Sequence, residues 1–386
     1  MASLDGIEYR RAEAKDAFPL MNLYQEAASN VFEDRVLLDR KQLVMEIESP
    51  DTVWIVGDRN GSMSAALSIL LDKENGLAKI NRLILDPNWL GSGEVLRKVL
   101  PLLVAYVKDK GIEVLYNTTR TLSLEQQEIT LALGFKLLGV FPSSPSTDSL
   151  RLNGLTACYL ENVLKEKRHS VFSLHPIARP LFDLVKEQCQ LPDVETAARP
   201  AIDQTAFVPL PALEVIHAPA FVAHRFHRLK ERRSLSVSFY PFHEPNLLIT
   251  DPSQKTEMFV RVLPDPRFAA IIGERLDLPV NPTEFYHQVS LMLHQRGVSF
   301  IEVINDAADP LGIEFIYNAS FIPCAYFPAF KRQGDERRDY VVFAKSFERI
   351  LGAQTGKRQI HRKYLRFLKE YYQLDEATQF NRLTPL

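Results

Sequence analysis

The sequence predicts a mixed α/β protein in which mostly antiparallel sheets are flanked by helices. Strand-like alternation of apolar residues and helix-like spacing succeed one another along the first 165 residues. Three successive strand candidates are separated only by short turns, which indicates antiparallel pairing. Residues 111–142 also align without gaps on residues 297–328, with five identical positions. Together with the matching order of helix, strand, helix and strand around it, this alignment indicates an internal duplication.

The first half contains a regular order of elements. The turn sequences Arg59-Asn60-Gly61 and Glu74-Asn75-Gly76 join the three central strands, so these strands are expected to form an antiparallel meander. A long helix that ends at Gly111 is expected to follow it. The predicted strands are 7–13, 52–58, 62–72, 77–86, 112–118, 135–141 and 156–164, and the predicted helices are 15–30, 40–49, 94–111 and 122–133.

The second half repeats this kind of order. Its predicted strands are 234–242, 246–251, 256–263, 267–276 and 299–306, and its predicted helices are 283–297, 313–319 and 355–373. The sequence therefore predicts a first domain over 1–165, a connector over 166–205, a second domain over 206–350 and a helical tail over 351–386.

The composition excludes several classes of partner. With 46 basic and 48 acidic side chains among 386 residues, the net charge of -2 gives no electrostatic reason to expect nucleic acid or an anionic membrane. No apolar run approaches the roughly 20 residues that cross a bilayer. The three cysteines form no CxxC pair. We therefore expect a cytoplasmic protein without a nucleic-acid or membrane partner, with a homodimer left open.

A glycine-rich stretch follows the third strand of the predicted meander. It reads LDPNWLGSGEVL over residues 85–96, and it places Gly91 and Gly93 at the start of a helix. Glycine lowers helix stability there relative to alanine. A tight turn requires such backbone freedom, and so does an anion site made of exposed N–H groups at a helix N-terminus. The stretch by itself does not decide between them.

The whole order of elements resembles the GNAT superfamily of acetyl-CoA-dependent N-acyltransferases. The resemblance covers residues 5 to 165, where LDPNWLGSGEVL stands in place of the family's VxPxYRGxGxG and LALGFKLLGVF matches its LYEKLGFxxxG. Residues 206–350 resemble a second, degenerate copy. The resemblance implies two GNAT-like domains, each with a mostly antiparallel mixed sheet flanked by helices. It also implies an acyltransferase that moves an acyl group from CoA to a small-molecule amine or a peptide amine.

The resemblance also implies a site for acetyl-CoA or another acyl-CoA as co-substrate. Main-chain groups of a bulged strand would hold the pantetheine arm, the glycine loop would bind the pyrophosphate, and a residue after the next strand would lie near the far end of the cofactor. By position these are Leu83, Ile84 and Leu85 on the strand, Leu90, Gly91, Ser92, Gly93, Glu94 and Val95 in the loop, and Asn117.

The catalytic positions depart from the family pattern. Asn81 stands where a general-base glutamate is common, and Thr130 stands where a tyrosine commonly protonates the departing thiolate. Tyr116 is the nearest alternative proton donor by sequence. We therefore predict Tyr116 and Asn81 as the catalytic residues. Positioning of the two reactants can supply much of the rate acceleration even without a general acid and a general base.

The second copy lacks the glycine loop. Pro279 and Pro282 remove N–H donors at the corresponding place, so this copy is expected to bind no CoA and to shape the acceptor site instead. His224, His227 and His243 invite a metal hypothesis, but no carboxylate or cysteine pattern completes them, and we predict no metal. Two other functions stay open. One is a Fem-like aminoacyltransferase, and the other is a non-catalytic acyl-CoA sensor.

Overall fold

A computed structural model describes residues 3–4, 7–27, 35–86, 92–120, 124–143, 151–263, 267–348 and 360–383. The chain divides into two compact units. Unit 1 comprises residues 1–136 and 156–163, and unit 2 comprises residues 137–155 and 164–386. Each unit is a mixed α/β structure whose sheet is mostly antiparallel and flanked by helices, as the sequence predicts.

The strands and helices follow in this order. The first part of the chain forms β1 (Ser3–Leu4), β2 (Ile7–Arg11), α1 (Ala17–Ala27), α2 (Arg35–Leu38), α3 (Arg40–Glu48), β3 (Thr52–Arg59), β4 (Ser62–Asp72), β5 (Leu77–Leu85), α4 (Ser92–Asp109), β6 (Val114–Arg120), α5 (Leu124–Ala132), β7 (Lys136–Ser143) and β8 (Arg151–Tyr159). The remainder forms α6 (Val163–Glu166), β9 (Ser173–Leu174), α7 (Arg179–Cys189), β10 (Glu195–Thr196), β11 (Glu214–Ile216), α8 (Pro219–Glu231), β12 (Leu247–Thr250), β13 (Thr256–Leu263), β14 (Phe268–Leu276), α9 (Pro282–Gln295), β15 (Phe300–Asp306), α10 (Pro310–Asn318), β16 (Ile322–Gln333), β17 (Glu336–Ser346) and α11 (Arg362–Leu383).

Unit 1 is built on the predicted meander. Strands β2, β3, β4 and β5 pair antiparallel in chain order, and β6 then pairs parallel to β5. The crossover between these two parallel strands is helix α4, as such a connection requires. One face of the sheet packs on α4 through Leu96, Val99, Leu103 and Val107. The other face carries Trp54 and Ile84 and packs on α1 and α3.

Unit 2 has the same order of pairing. Strands β12, β13 and β14 form an antiparallel meander, helix α9 crosses over, and β15 pairs parallel to β14. Helix α10 follows, and then the long hairpin of β16 and β17. Asn281 caps α9 by accepting from the N–H of Thr283 at 2.9 Å, and Pro282 occupies the first helical position, where a missing N–H costs nothing.

A close approach of two strands explains the second glycine of LALGFKLLGVF, Gly139. Gly139 on β7 lies opposite Ala325 on β16, and both belong to unit 2. A Cβ atom on Gly139 would lie 2.2 Å from the Cβ of Ala325 and 2.4 Å from the carbonyl oxygen of Cys324. Because such distances are sterically forbidden, any side chain at position 139 would force these two strands apart.

One predicted strand is wrong. Residues 234–242 alternate like a strand, yet the structure has no strand there, and Val237 alone forms an isolated bridge, with Glu274. The chain turns at both ends of this segment, because Arg233 just before it and Phe242 at its end adopt positive φ, at 54° and 66°. The meander strands 62–72 and 256–263, in contrast, are confirmed with the predicted bounds.

Candidate functional site

The bulge on strand β5 is the central feature of unit 1. In the pairing of β5 with β4, Ser68 lies opposite Arg82 and Ile69 lies opposite Ile80, so Asn81 is the extra residue. The extra residue reverses the alternation of side chains along the strand. Ala78 and Ile80 before the bulge pack on the α4 face, whereas Ile84 after it packs on the α1 and α3 face.

The parallel pairing of β5 with β6 stops at this bulge. The last registered pair is Ile80 with Asn117, although β5 continues to Leu85 and β6 to Arg120. A gap therefore opens between the two strands beyond the bulge. Along β5, alternate residues direct their N–H and C=O groups away from β4 and toward this gap. The gap is thus lined by main-chain donors and acceptors.

The predicted pantetheine residues lie on this edge. Leu83 is 37% exposed, Leu85 is half-buried, and Ile84 is buried against the other face of the sheet. Asn117 is half-buried and stands on β6 at the last registered pair. The structure therefore brings Leu83, Leu85 and Asn117 to one gap, and it directs the Ile84 side chain away from the α4 face.

The predicted loop lies at the start of helix α4. The described helix begins at Ser92 and includes Gly93, Glu94 and Val95 in its first turn. Leu90 and Gly91 lie outside the described residues. Because α4 follows β5 directly along the chain, its N-terminus, where N–H groups lack intrahelical acceptors, follows the end of the bulged strand. That succession is the one required for a strand-to-helix anion site.

The two predicted catalytic residues have different surroundings. Asn81 is exposed at the bulge, and its amide carries no proton that titrates near neutral pH, so it can orient a reactant but cannot act as a base. Tyr116 is 5% exposed and lies opposite Lys79 on β5. Burial, with the nearby Asp72 carboxylate, raises the pKa of Tyr116 well above its usual value, so its phenol keeps its proton at neutral pH.

Thr130 is held by its own helix. Its side chain is buried, and its hydroxyl donates to the carbonyl oxygen of Gln126 at 2.8 Å. A hydroxyl engaged in this way does not replace a phenol as a proton donor. Tyr116 therefore stays the proton donor that we predict in unit 1.

A polar cluster that no sequence pattern predicts lies beside the bulge. Arg82 donates to Glu46 at 2.6 Å, and the guanidinium lies 5.5 Å from the centre of the Trp54 ring. The indole N–H of Trp54 donates to the same Glu46 oxygen at 3.1 Å. These contacts fix the residue next to Asn81 on the α3 side of the sheet. Because Arg82 and Glu46 are far apart in sequence, no local pattern predicts their pairing.

An open cleft of about 790 Å³ in unit 1 is lined by residues of β2, α1, β3 and β4. Four of its described lining residues are acidic (Glu8, Asp16, Glu26 and Asp58), and one, Arg10, is basic. Arg10 bridges two of them, donating to Asp16 at 2.6 Å and to Asp58 at 2.9 Å. The charge of this lining favours a cationic small molecule over an anionic one.

The histidines have ordinary surroundings. His227 contacts Glu244 at 3.0 Å, and the ring of His243 packs edge-on against Tyr240 at 4.8 Å. Within the described ranges, histidine, cysteine, aspartate and glutamate side chains form no group of three that could hold a metal ion. No helix in the same ranges is both long and apolar enough to cross a bilayer.

Comparisons with known proteins give partial similarities. No family model matches the sequence, and no curated protein matches it. Among solved structures, the chain is similar to the ribosomal-protein-S18-alanine N-acetyltransferase of Escherichia coli, with 17% identity and a TM-score of 0.34, covering 40% of this chain and 94% of that one.

Two further solved structures have a similar extent of overlap. The PaiA N-acetyltransferase of Thermoplasma acidophilum in complex with coenzyme A is 15% identical with a TM-score of 0.32, covering 40% of this chain and 98% of that one. An acetyltransferase of the GNAT family from Streptococcus pneumoniae is 15% identical with a TM-score of 0.35, covering 40% of this chain and 99% of that one. The three similarities each concern about two fifths of the chain.

Proposed function

We propose that this protein is an acyl-CoA-dependent N-acyltransferase, with acetyl-CoA as its donor, and that CoA binds to unit 1. The observation that carries the proposal is the bulge at Asn81, where pairing between β5 and β6 ends and a main-chain edge is left facing a gap. The pantetheine arm of CoA carries amide groups that can pair with such an edge. The glycine-containing start of α4 supplies the N–H groups for its pyrophosphate.

The chemistry then follows from the chain's own residues. A neutral amine attacks the thioester carbon, the carbon–sulfur bond breaks, and the amine loses one proton to water or to a base. Tyr116 would donate its phenolic proton to the departing thiolate, and the proton lost by the amine restores the balance. The amide of Asn81 would orient the acyl group. An amine acceptor also agrees with the acidic lining of the cleft in unit 1.

Unit 2 is proposed to be a degenerate copy of the same fold. It repeats the meander, the crossover helix and the parallel strand, and it carries a bulge at Ile272, where Gly273 lies opposite Phe259 and Ile271 lies opposite Val260. The parallel pairing ends there too, at Ile271 with Val303. We propose that this copy binds no CoA and contributes to the acceptor site.

The binding site is tested by changing Ser92 to aspartate, with Ser92→Asn as the control of similar size. A carboxylate about 4–6 Å from the pyrophosphate would repel it by on the order of a few kcal/mol before screening. We expect CoA affinity to fall at least tenfold in the aspartate variant, since about 1.4 kcal/mol suffices. The asparagine variant should keep the parent affinity.

Thermal unfolding provides the readout. Without ligand, both variants should melt like the parent, because an acidic residue is generally favourable at a helix start. With CoA, the parent and Ser92→Asn should be stabilised and Ser92→Asp should not. If Ser92→Asp keeps the full stabilisation by CoA, the glycine stretch is only a turn and the proposed site is wrong.

A second function, non-catalytic acyl-CoA binding, is favoured by the amide at position 81 and by the engaged hydroxyl of Thr130. Turnover of the parent separates the two functions, and Tyr116→Phe, which keeps the ring and removes the proton, tests the role of Tyr116. For an enzyme we expect turnover with an amine panel to fall at least tenfold while CoA affinity stays within twofold. Unchanged turnover would remove Tyr116 from the mechanism, and no turnover in the parent would favour the binding protein.

A further inference from the structure

A gap also opens in unit 2, between β14 and β15, and unlike the gap in unit 1 it is occupied by residues of the chain itself. Strand β14 continues to Leu276 and β15 to Asp306, beyond their last registered pair of Ile271 with Val303. Past the bulge, Glu274 lies opposite Met258 on β13. Its main-chain N–H and C=O nevertheless point to the other side, because both make hydrogen bonds outside the pairing with β13.

Residues of the chain itself are the partners in these two hydrogen bonds. The N–H of Glu274 donates to the carbonyl oxygen of Val237 at 2.9 Å, and the N–H of Ser236 donates to the carbonyl oxygen of Glu274 at 2.7 Å. Val237 and Glu274 form an isolated antiparallel bridge. A short extended segment is therefore paired with the edge that the gap exposes.

Gly273 permits the segment to lie this close. A Cβ atom at position 273 would be 2.9 Å from the carbonyl oxygen of Val237 and 2.9 Å from the ring of Phe226. The carbonyl is backbone and cannot rotate away, so a side chain here would displace the segment. The absence of a side chain at position 273 thus makes room for a second main chain.

Aromatic side chains anchor the rest of the segment. Phe239 is buried, and its ring centre lies 5.1 Å from that of Phe330 and 5.3 Å from that of Tyr340. The hydroxyl of Tyr240 donates to the Glu302 carboxylate on β15. The segment is therefore attached to β14 through its main chain, and through its side chains to β15 and to the hairpin of β16 and β17.

We propose that the gap between β14 and β15 is a binding groove for an extended polypeptide, occupied in this chain by residues 236–240. Main-chain pairing with Glu274 would supply one part of the affinity, and the sites for Phe239 and Tyr240 would supply the specificity, as in recognition by strand addition. The occupied edge also leaves no main-chain partners at Glu274 for another ligand. This proposal holds whether or not unit 1 binds CoA.

The test weakens the binding of residues 236–240 to the groove by substitutions in the full-length protein, and then adds a peptide that contains the sequence of the segment. Ser236→Pro removes the N–H that donates to Glu274, and Phe239→Ala removes the buried ring. In the double variant we expect amide exchange at Glu274 to accelerate at least tenfold, measured by hydrogen-exchange mass spectrometry over residues 268–276. In the parent the same amide should exchange slowly.

A fluorescent peptide of residues 234–243, SLSVSFYPFH, is the ligand used. We expect it to bind the double variant and to restore slow exchange at Glu274. It should bind the parent at least a hundredfold more weakly, because the tethered segment competes at a high effective concentration. A control peptide with alanine at both aromatic anchor positions should bind neither protein.

Two outcomes would overturn the proposal. In the first, Glu274 exchanges as slowly in the double variant as in the parent, so the segment does not protect the edge. In the second, exchange accelerates but the peptide neither binds nor slows it. Should the double variant fail to fold, Tyr240→Phe alone removes the bond to Glu302 and should accelerate exchange at Ser236 at least threefold. Unchanged exchange at Ser236 in that variant would contradict the proposal too.

Discussion

Replacing Arg168 with methionine is expected to lower the free energy of unfolding by about 3–5 kcal/mol. The side chains of Arg168 and Asp339 are both fully buried, and Arg168 donates to Asp339 at 2.6 and 2.9 Å. Asp339 also accepts from the hydroxyl of Tyr326 at 2.5 Å and from the N–H of Ala329 at 2.8 Å. Without Arg168, the carboxylate loses this cationic partner and is left buried.

Arg366→Met is the matched control. Arg366 pairs with Glu187 at 2.8 Å, but the two side chains are 53% and 61% exposed. Exposed pairs of this kind contribute about 0–1 kcal/mol. Urea unfolding at pH 7, followed by circular dichroism, compares the two variants with the parent. A loss in Arg168→Met no larger than in Arg366→Met would show that the buried pair does not hold unit 2 together.

Glu274→Gln is expected to stabilise the protein at pH 8 by about 3 kcal/mol. Burial raises the pKa of Glu274 from 4.5 to about 7; a hydrogen bond with Tyr286 opposes the rise, and Asp309 adds to it. The folded protein therefore holds this proton more tightly than the unfolded chain does. The resulting stability is fully present below about pH 4.5 and is lost as the pH rises through about 7. Glutamine cannot ionise, so the variant avoids this loss.

The pH dependence distinguishes this account from a simple gain of packing. The advantage of Glu274→Gln over the parent should be small at pH 5 and should grow toward pH 8. The exposed Glu231→Gln serves as the control and should change stability by less than about 0.5 kcal/mol at either pH. An advantage that is equal at pH 5 and pH 8 would mean that Glu274 is ionised in both states.

The meanders could be predicted because their information is local. Alternating apolar residues and the turn at Asn60-Gly61 specify β3 and β4 without reference to the rest of the chain, and Asn60 and Gly61 both adopt positive φ, at 52° and 79°. The bulge at Asn81 follows from the register of β5 on β4 and is not written in the sequence of β5 alone. The strand could thus be placed, but the residue at which the gap opens could not.

The strand at 234–242 was predicted wrongly because the information that decides its structure is not local. Its alternating pattern suits a strand, but its main-chain partner is Glu274, far away in sequence, and the pairing is a single bridge. The buried pair of Arg168 and Asp339 is farther apart still, at 171 positions along the chain. Arg168 stands in the charge run Lys165-Glu166-Lys167-Arg168, and charged residues in such runs are usually exposed. Its burial depends on a partner that only the folded chain brings near.

The most direct test of the central claim is calorimetric titration of the full-length protein with CoA. We expect saturable binding of one CoA per chain, at the gap between β5 and β6, with the affinity lowered at least tenfold in Ser92→Asp and preserved in Ser92→Asn. Main-chain groups of Glu274 already bind Ser236 and Val237, so no second equivalent should bind in unit 2. No binding of CoA, or binding of two equivalents, would contradict the account.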